Sequence, residues 1–231
     1  MKRSKRFKEI LEKIDTNKEY SLADAVNLLK ESSKLKFVES LDCAIRLGVD
    51  PRHADQMVRG TVSLPNGTGK EVKVLVIAKT PKDKEALDAG ADYAGFEEYL
   101  DKIKGGWADV DVIIATPDTM SELGKLGRML GPKGLMPNPK SGTVTMDVAK
   151  AVKEVKAGKI EFRVDKTGIV HSSLGKLNFE TDKLVENAQA FLSTIIKLKP
   201  ATAKGQYVKS LFLSSSMGPG LKISREEIPA K

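Results

Sequence analysis

The sequence predicts an α/β protein of two domains, in which a Rossmann-like βαβ domain is inserted into a terminal α/β domain with a mainly antiparallel sheet. Three observations support this prediction. Apolar and polar residues alternate near both ends of the chain, two nearly continuous apolar strands lie in its middle, and the excess of basic residues is confined to the outer segments. The length of 231 residues suits two small domains or one large one.

Three amphipathic helices are predicted in the outer segments. The apolar face of the first consists of Phe7, Ile10, Leu11 and Ile14. Ser21 precedes the second helix, and Asp24 follows three residues later, which is the spacing of an approximate capping box. The third helix is predicted to begin with Thr181 as its N-cap and to end before Pro200.

Half-buried strands account for the rest of the terminal domain. Apolar residues recur with a period of two over residues 40–50, 58–64 and 160–164, and residues 207–213 and 221–223 are predicted to be the last two strands. Residues 165–168 have the composition of a tight turn, so 160–164 and 169–172 are predicted to form a β-hairpin. The last two strands flank a Gly-Pro-Gly turn.

The middle of the chain alternates buried strands with helices. The strands are residues 72–78 and 110–115, whose nearly unbroken apolar character is typical of a parallel sheet covered on both faces. The helices predicted between and after them are residues 81–89, 96–104, 119–130 and 147–157. This alternation predicts a βαβ arrangement with right-handed crossovers.

The distribution of charge supports the same division. We place the terminal domain at residues 1–67 plus 160–231 and the inserted domain at 68–159, with Gly67, Gly69 and Gly158 as hinge residues. The inserted segment has 15 basic and 14 acidic residues, whereas the outer segments have 24 and 17. Nearly all of the net charge of +8 therefore lies on the terminal domain, and a polyanion is expected to bind there.

The composition argues against several classes of protein. Cys43 is the only cysteine, so no intramolecular disulfide forms, and with His53 and His171 it lacks the spacing of zinc ligands. No apolar run approaches the ~18–20 residues of a membrane helix. Because no nucleophile has a base placed beside it by any motif, we predict no enzymatic activity. Without ligand spacing or a nucleotide-binding motif, we also expect no metal and no cofactor.

A glycine-rich segment before the first middle strand resembles a phosphate-binding loop only faintly. Residues 67–70 would need glycine at position 64 and Ser or Thr at position 71, where the chain has Leu64 and Glu71. The segment also precedes a strand, whereas the phosphate-binding motif follows one. The sequence therefore favours a crossing between domains over a nucleotide site.

Three segments of the terminal domain carry residue types that suit contacts with RNA. The first runs from a helix end into a strand and contains Lys36, Phe37, Glu39 and Ser40. The second is a glycine-rich turn and contains Ser214, Ser216, Met217 and Gly218. The third is the predicted hairpin turn and its return strand, with Lys166, Thr167, Gly168 and His171. In this interpretation Phe37 lies against a sugar or base, and Glu39 and Ser40 bond to base edges or 2′-hydroxyls.

Each segment also has a purely structural interpretation. The first is then a helix C-terminus with Phe37 in the core, the second a plain β-turn, and the third an ordinary hairpin. A fourth segment, residues 131–140, is a glycine- and proline-rich loop with two lysines. It is either a long surface loop or a site where backbone and lysines meet a phosphate chain.

Four longer motifs occur in order along the chain, at residues 47–65, 125–140, 157–168 and 216–219. Together they resemble the L-one family of large-subunit ribosomal proteins, and the bacterial branch most closely. The resemblance implies an rRNA-binding terminal domain and an inserted Rossmann-like domain, in a cytoplasmic protein of the ribosome. It also implies that the residues of the three RNA segments, except His171, contact RNA.

The resemblance further implies several partners. These are large-subunit rRNA at the mobile stalk beside the exit site, deacylated tRNA whose release the stalk assists, and a leader in the operon mRNA that the protein represses. We expect no membrane partner and a monomer when free. Because the inserted domain is nearly neutral, we expect it to add little to rRNA affinity.

Two other functions compete with this one. An enzyme could use the inserted domain for a nucleotide, and a thermal shift with ATP, GTP or NAD would support it. A non-specific basic RNA chaperone would bind RNA whatever its sequence and fold.

Overall fold

The computed structural model describes residues 4–16 and 18–227. The strands in these residues are β1 (Glu19–Tyr20), β2 (Ser40–Leu47), β3 (Arg59–Ser63), β4 (Val74–Ile77), β5 (Tyr93–Gly95), β6 (Val112–Ala115), β7 (Lys159–Arg163), β8 (Ile169–Lys176), β9 (Val208–Ser215) and β10 (Gly220–Ile223). The helices are α1 (Lys5–Lys13), α2 (Leu22–Ser32), α3 (Lys82–Asp88), α4 (Glu97–Lys104), α5 (Met120–Lys125), α6 (Gly127–Leu130), α7 (Val148–Lys156) and α8 (Thr181–Lys197). In this part of the chain no helix has the length and apolarity needed to span a bilayer.

The chain divides into two compact units. The first comprises the described residues of 1–70 and 160–231, and the second is Glu71–Lys159. The first unit contains a five-stranded sheet in the order β1-β10-β9-β2-β8, in which only β1 and β10 are parallel. The predicted α/β fold class is confirmed.

The alternation in β2 gives the sheet one buried and one open face. Its buried residues are Leu41, Cys43, Ile45 and Leu47, which join a core that also contains residues of α2 and α8. Burial raises the pKa of the Cys43 thiol, so the group stays protonated and inert at neutral pH. Ser40, Asp42, Ala44 and Arg46 lie on the opposite face.

The prediction that residues 160–164 and 169–172 pair as a β-hairpin is wrong, except for the turn that joins them. The two strands share one bridge, between Val164 and Val170, and then enter different sheets. β8 pairs with β2, while β7 pairs with β3 in a separate two-stranded sheet. The physical reason is burial, because β7 places Phe162 edge-on against Phe191 of α8, with ring centroids 5.3 Å apart.

The two predicted N-caps have different outcomes. The Ser21 hydroxyl accepts a hydrogen bond from Asp24 N at 3.1 Å, so Ser21 is confirmed as the N-cap of α2. The Asp24 carboxylate accepts from the Ser21 hydroxyl at 2.8 Å, whereas the carboxylate of a full capping box accepts from the backbone N–H of the N-cap. The prediction for Thr181 is wrong by one residue, because α8 begins at Thr181 and Glu180 is its N-cap. The Thr181 hydroxyl instead donates to Asn27 Oδ1 at 2.7 Å and thereby joins α8 to α2.

The second unit contains a parallel three-stranded sheet in the order β5-β4-β6. Every residue of β4 is buried, and successive residues face two separate cores. Val74 and Val76 pack with α3 and α7, whereas Leu75 and Ile77 pack with α4, α5 and α6. The sequence did not predict β5, because its three half-buried residues are too few for a visible alternation.

Candidate nucleic-acid interface

Two of the predicted RNA segments meet at one edge of the five-stranded sheet. β2 begins at Ser40 and β9 ends at Ser215, and the two strands are antiparallel with Leu41 opposite Ser215. The chain entering β2 and the turn leaving β9 are therefore neighbours. We call residues 36–40 and 214–218 together the entry surface.

Reciprocal hydrogen bonds join the two halves of the entry surface. Ser40 N donates to Ser216 Oγ at 3.0 Å, and Ser216 N donates to the Ser40 carbonyl at 3.2 Å. Lys176 Nζ donates to Ser40 Oγ at 2.9 Å. A hydroxyl has one donor and two acceptor sites, so each serine keeps hydrogen-bonding capacity for a ligand.

The buried side chain of Glu39 holds the turn of residues 215–218 through hydrogen bonds. Its side chain is 2% exposed, and Oε1 accepts bonds from Met217 N at 2.8 Å and from Ser215 Oγ at 3.2 Å. A buried carboxylate satisfied by neighbouring donors orders the groups that satisfy it. The structure thus assigns Oε1 of Glu39 to the turn, while its contact with RNA stays a prediction.

Exposed apolar side chains project from this ordered frame. Phe37 and Met217 are each 54% exposed, and Val38 is 51% exposed. Phe37 is therefore not a core residue. Arg6 of α1 donates from Nη2 to the Met217 carbonyl at 3.1 Å, and Lys36 is exposed beside Phe37. Apolar side chains beside cations and hydroxyls are the combination that contacts sugars, bases and phosphates in RNA.

Gly218 is required by the packing of the turn. A Cβ built at this position would lie 2.4 Å from Ser215 Oγ, the hydroxyl that donates to Glu39. Gly218 N donates to the Ser215 carbonyl at 3.2 Å and closes the turn. Any side chain here would displace the Ser215 hydroxyl from the Glu39 carboxylate.

The third predicted segment lies at the opposite end of β2. Leu47 N donates to the Gly168 carbonyl at 2.8 Å, and β2 spans about 23 Å from Ser40 to Leu47 at ~3.3 Å per residue. Residues 166–168 therefore belong to a second surface, separate from the entry surface. The sequence did not predict this separation.

Asp165 organises the turn of this second surface. Its Oδ1 accepts bonds from Ile169 N at 2.8 Å and Thr167 N at 2.9 Å, and the Thr167 hydroxyl donates to the same carboxylate at 2.7 Å. The bond from Ile169 N, followed by the Thr167 hydroxyl, lowers the pKa of the Asp165 carboxyl. The ionised carboxylate therefore holds the turn of residues 165–169 at neutral pH, and these hydrogen bonds weaken only as the pH falls through the lowered pKa of Asp165. Lys166 is left exposed.

An open groove of ≈ 810 Å³ adjoins this turn. Its lining residues are Pro51, Arg52, Met57, Arg163, Val164, Asp165 and Lys166. Arg163 Nη2 lies 3.4 Å from Met57 Sδ, and within residues 4–16 and 18–227 no ion pair involves Arg52, Arg163 or Lys166. We call this the basic groove. The sequence analysis did not single out Arg52 and Arg163 as RNA contacts, although both lie within motifs that carry the family resemblance.

The open face of the sheet lies between the two surfaces. His171 is opposite Ala44, whose other neighbour is Phe212 of β9, so the three side chains form one row across the strands. Phe212 is 37% exposed, and His171 lies 3.9 Å from Asp165. An exposed aromatic residue on a polar sheet face is a candidate RNA contact that the sequence analysis missed. Phe212 lies between the buried Leu211 and Leu213, and this alternation would have placed its side chain on the open face of the sheet.

The hinge glycines have left-handed backbones, with φ of 66° at Gly67, 66° at Gly69 and 102° at Gly158. Gly67 and Gly69 have contacts within the first unit. The Gly67 carbonyl accepts a bond from Asn187 of α8, and a Cβ at Gly69 would lie 2.7 Å from the Phe179 ring. A hinge role for all three stays a prediction.

No group of three or more His, Cys, Asp or Glu side chains that could hold a metal occurs in the described part of the chain.

Comparison with known proteins gives one consistent result. The model of the ribosomal protein L1p/L10e family matches residues 29–219. A protein of Chlorobium phaeobacteroides named large ribosomal subunit protein uL1 is 60% identical over 226 residues, 98% of this chain and 99% of its own length. A protein of the same name from Bacteroides thetaiotaomicron is 60% identical over 227 residues, which cover 98% of this chain and 98% of its own length. One from Flavobacterium johnsoniae is 58% identical over 227 residues, which cover 98% of this chain and 99% of its own length. The resemblance predicted from the sequence is confirmed, and the chain belongs to the ribosomal protein L1p/L10e family.

Proposed function

We propose that this protein binds a folded element of large-subunit rRNA, the mobile stalk, through its entry surface. One observation carries the proposal. Phe37 and Met217 stand exposed on a turn that Glu39 already orders. Because the protein side is preformed, binding loses little conformational entropy there, and burial of these side chains is achieved at low cost.

The chemistry of this surface suits shape-selective recognition. The apolar side chains of Phe37 and Met217 would pack on sugar and base faces, and the serine hydroxyls would bond to 2′-hydroxyls or base edges. Lys36 would supply a salt-dependent contact with phosphate. As a member of a ribosomal protein family, the protein is a structural constituent of the large subunit in the cytoplasmic ribosome and not an enzyme.

We expect Phe37→Ala and Met217→Ala each to weaken binding to a stalk-type rRNA fragment by about 1–3 kcal/mol, or roughly 5- to 150-fold. Each substitution removes an exposed side chain without opening the core, so the fold is expected to persist. Binding is measured against the fragment and against a duplex of equal length across a salt series. An operon mRNA leader should compete with the fragment and lose affinity in parallel, because we propose that it uses the same surface.

Leu198→Ala is the matched control, since Leu198 is an exposed apolar residue of the same unit, at the end of α8. It should bind like the wild type. Folded Phe37 and Met217 variants with unchanged affinity would refute these two assignments. Equal binding of fragment and duplex by the wild type, lost together as salt rises, would instead identify a non-specific basic protein.

A second RNA partner, deacylated tRNA at the exit site, is favoured by the basic groove. This groove and the entry surface lie at opposite ends of β2. A second RNA could therefore bind in the groove while the first occupies the entry surface. The double variant Arg52→Gln/Arg163→Gln should weaken binding to deacylated tRNA about 10-fold, because each substitution removes a charge-assisted bond to phosphate. Affinity for the stalk-type fragment should change less than twofold.

Arg46→Gln/Lys209→Gln serves as the control for that experiment. Both residues are exposed cations of the same unit that do not line the groove. The control removes the same charge and should leave tRNA binding nearly intact. A parallel loss in the control and the groove variant would mean that net charge, and not the groove, attracts tRNA.

A further inference from the structure

The second unit contains a long segment without acidic residues. Residues 123–146, between Glu122 and Asp147, include no Asp or Glu but four cations, Lys125, Arg128, Lys133 and Lys140. All four are exposed. Lys125 pairs with Glu122 at 2.7 Å, whereas no ion pair of the described residues involves the other three.

Several other cations of this unit lie beside carboxylates, whereas Lys79 and Lys102 lie over aromatic rings and Lys82 donates to the Met146 carbonyl. Four lysines form ion pairs of 2.8–3.3 Å: Lys73 with Asp109, Lys104 with Asp101, Lys156 with Asp92 and Lys159 with Glu154. Lys84 lies between Asp83 and Glu85 in α3. The near-zero net charge of the unit therefore conceals an uneven distribution, and the acid-free segment is its positive part.

Hydrogen bonds order the first half of this segment. Gly131 N donates to Gly127 O at 2.8 Å, Gly134 N to Gly131 O at 3.1 Å, and Leu135 N to Leu130 O at 3.0 Å. Leu135 then packs against the core that contains Leu123 and Leu130. Successive turns therefore present Arg128 and Lys133 on a backbone whose conformation is set.

The second half is ordered by its own polar network. Asn138 N donates to Thr143 Oγ1 at 2.8 Å, and Asn138 Oδ1 accepts from Lys140 N at 2.8 Å. Ser141 is buried and donates from Oγ to the Asn138 carbonyl at 3.0 Å. Lys140 is thus also held on a fixed backbone, which lowers the entropic cost of binding a ligand.

Gly134 leaves room for another molecule to approach, whereas Gly131 is required by the packing of the loop. At Gly134, where φ is +72°, a Cβ would meet no atom within 4 Å. A Cβ at Gly131 would lie 2.7 Å from Gly127 O, so that position is closed to side chains by the fold itself. No aromatic residue occurs in residues 123–146, so this segment has no aromatic ring on which a base could stack.

We propose that Arg128, Lys133 and Lys140 form an additional RNA contact, separate from the entry surface and the basic groove, in which the loop of the second unit binds the phosphate backbone without reading sequence. Cations on an ordered backbone that form no ion pair suit phosphates, and a segment without aromatic side chains favours contacts with the backbone over the reading of bases. The inference rests on the proposed function, because it takes RNA to be the polyanion. It replaces the expectation that a nearly neutral unit adds little to RNA affinity. Salt screens charges that lie more than about 10 Å away, so a bound phosphate interacts with the cations beside it and not with the net charge of the whole unit.

The test compares two triple variants of the full chain. Arg128→Gln/Lys133→Gln/Lys140→Gln removes the proposed phosphate-binding cations. Its matched control is Lys84→Gln/Lys150→Gln/Lys153→Gln, which removes the same charge at exposed positions interspersed with acidic residues. The probe is a stalk-type large-subunit rRNA fragment with duplex on both flanks, titrated between about 50 and 200 mM salt.

The loop variant should bind the probe about 10-fold more weakly at the lowest salt. The slope of log affinity against log salt should become shallower by about 2–3, which is close to one for each phosphate that the variant no longer neutralises. The control should match the wild type in both quantities. A loop variant that behaves like the wild type would overturn the inference.

Two further outcomes separate this inference from the function on which it rests. A wild-type protein that does not prefer the probe to a plain duplex would overturn the proposed function, and the loop contact with it. A wild-type preference together with an unchanged loop variant would overturn the loop contact alone. Unchanged RNA binding with reduced incorporation of the loop variant into large subunits would also overturn it, in favour of a protein partner.

Discussion

Replacing Glu39 with alanine is expected to weaken binding to the stalk-type rRNA fragment about 10- to 100-fold, which is roughly 1.4–2.8 kcal/mol. The carboxylate accepts from Met217 N and Ser215 Oγ, and its removal leaves both donors without a partner. The turn that carries Met217 and Ser216 would then sample many conformations. RNA binding would have to order it again, which reduces affinity. The measurement is RNA titration together with hydrogen exchange at the Met217 amide.

Glu39→Gln separates a positioning role from direct contact with RNA. The glutamine keeps an oxygen that can accept both bonds, so a positioning role predicts near-normal exchange protection and most of the affinity. If the Met217 amide stays protected in Glu39→Ala while affinity falls, then Glu39 contacts RNA itself. If neither quantity changes in Glu39→Ala, the carboxylate does not hold the turn.

The largest loss of stability is expected at Asn187. This amide is fully buried in α8; Oδ1 accepts from Asn66 N at 3.1 Å, and Nδ2 donates to the carbonyls of Leu174 at 2.8 Å and Gly67 at 3.0 Å. Asn187→Ala leaves three backbone groups unsatisfied and should lower the free energy of unfolding by about 2–4 kcal/mol. Urea denaturation followed by circular dichroism measures the change.

Gln189→Ala is the control for Asn187, because Gln189 is exposed on the same helix. Its effect should stay within ~0.5 kcal/mol. Asn187→Asp should be at least as damaging as Asn187→Ala at neutral pH, because a carboxylate oxygen would face the Leu174 and Gly67 carbonyls in place of a donor. A variant Asn187→Ala as stable as the control would show that the three bonds contribute no net stability.

Much of the fold was predictable because its signals are local. The alternation from Leu41 to Leu47 is a property of one strand, and the N-cap bond between Ser21 and Asp24 spans one helical turn. The apolar run at β4 likewise indicates burial on both faces without knowledge of its neighbours. Such patterns depend only on the period of the backbone, so one sequence suffices to recognise them.

The missed features depend on partners far away in the chain. Glu39 meets Met217 across 178 residues, and Thr181 meets Asn27 across 154. The strands around Asp165 separate because Phe162 packs on Phe191, a preference that their own sequences do not carry. Local patterns hold no information on these distant partners, so the predicted hairpin and the predicted N-cap at Thr181 were wrong.

The same distinction between local patterns and distant contacts applies to the candidate site. The sequence by itself determined the residue types of the RNA segments, the fold class and, through its motifs, the family. Only the tertiary structure decided that residues 36–40 and 214–218 form one surface, that residues 166–168 lie at the other end of β2, and that Glu39 is buried. The physical reason is that a strand's side-chain period follows from its own residues, whereas its neighbours are selected by burial and hydrogen bonding over the whole unit.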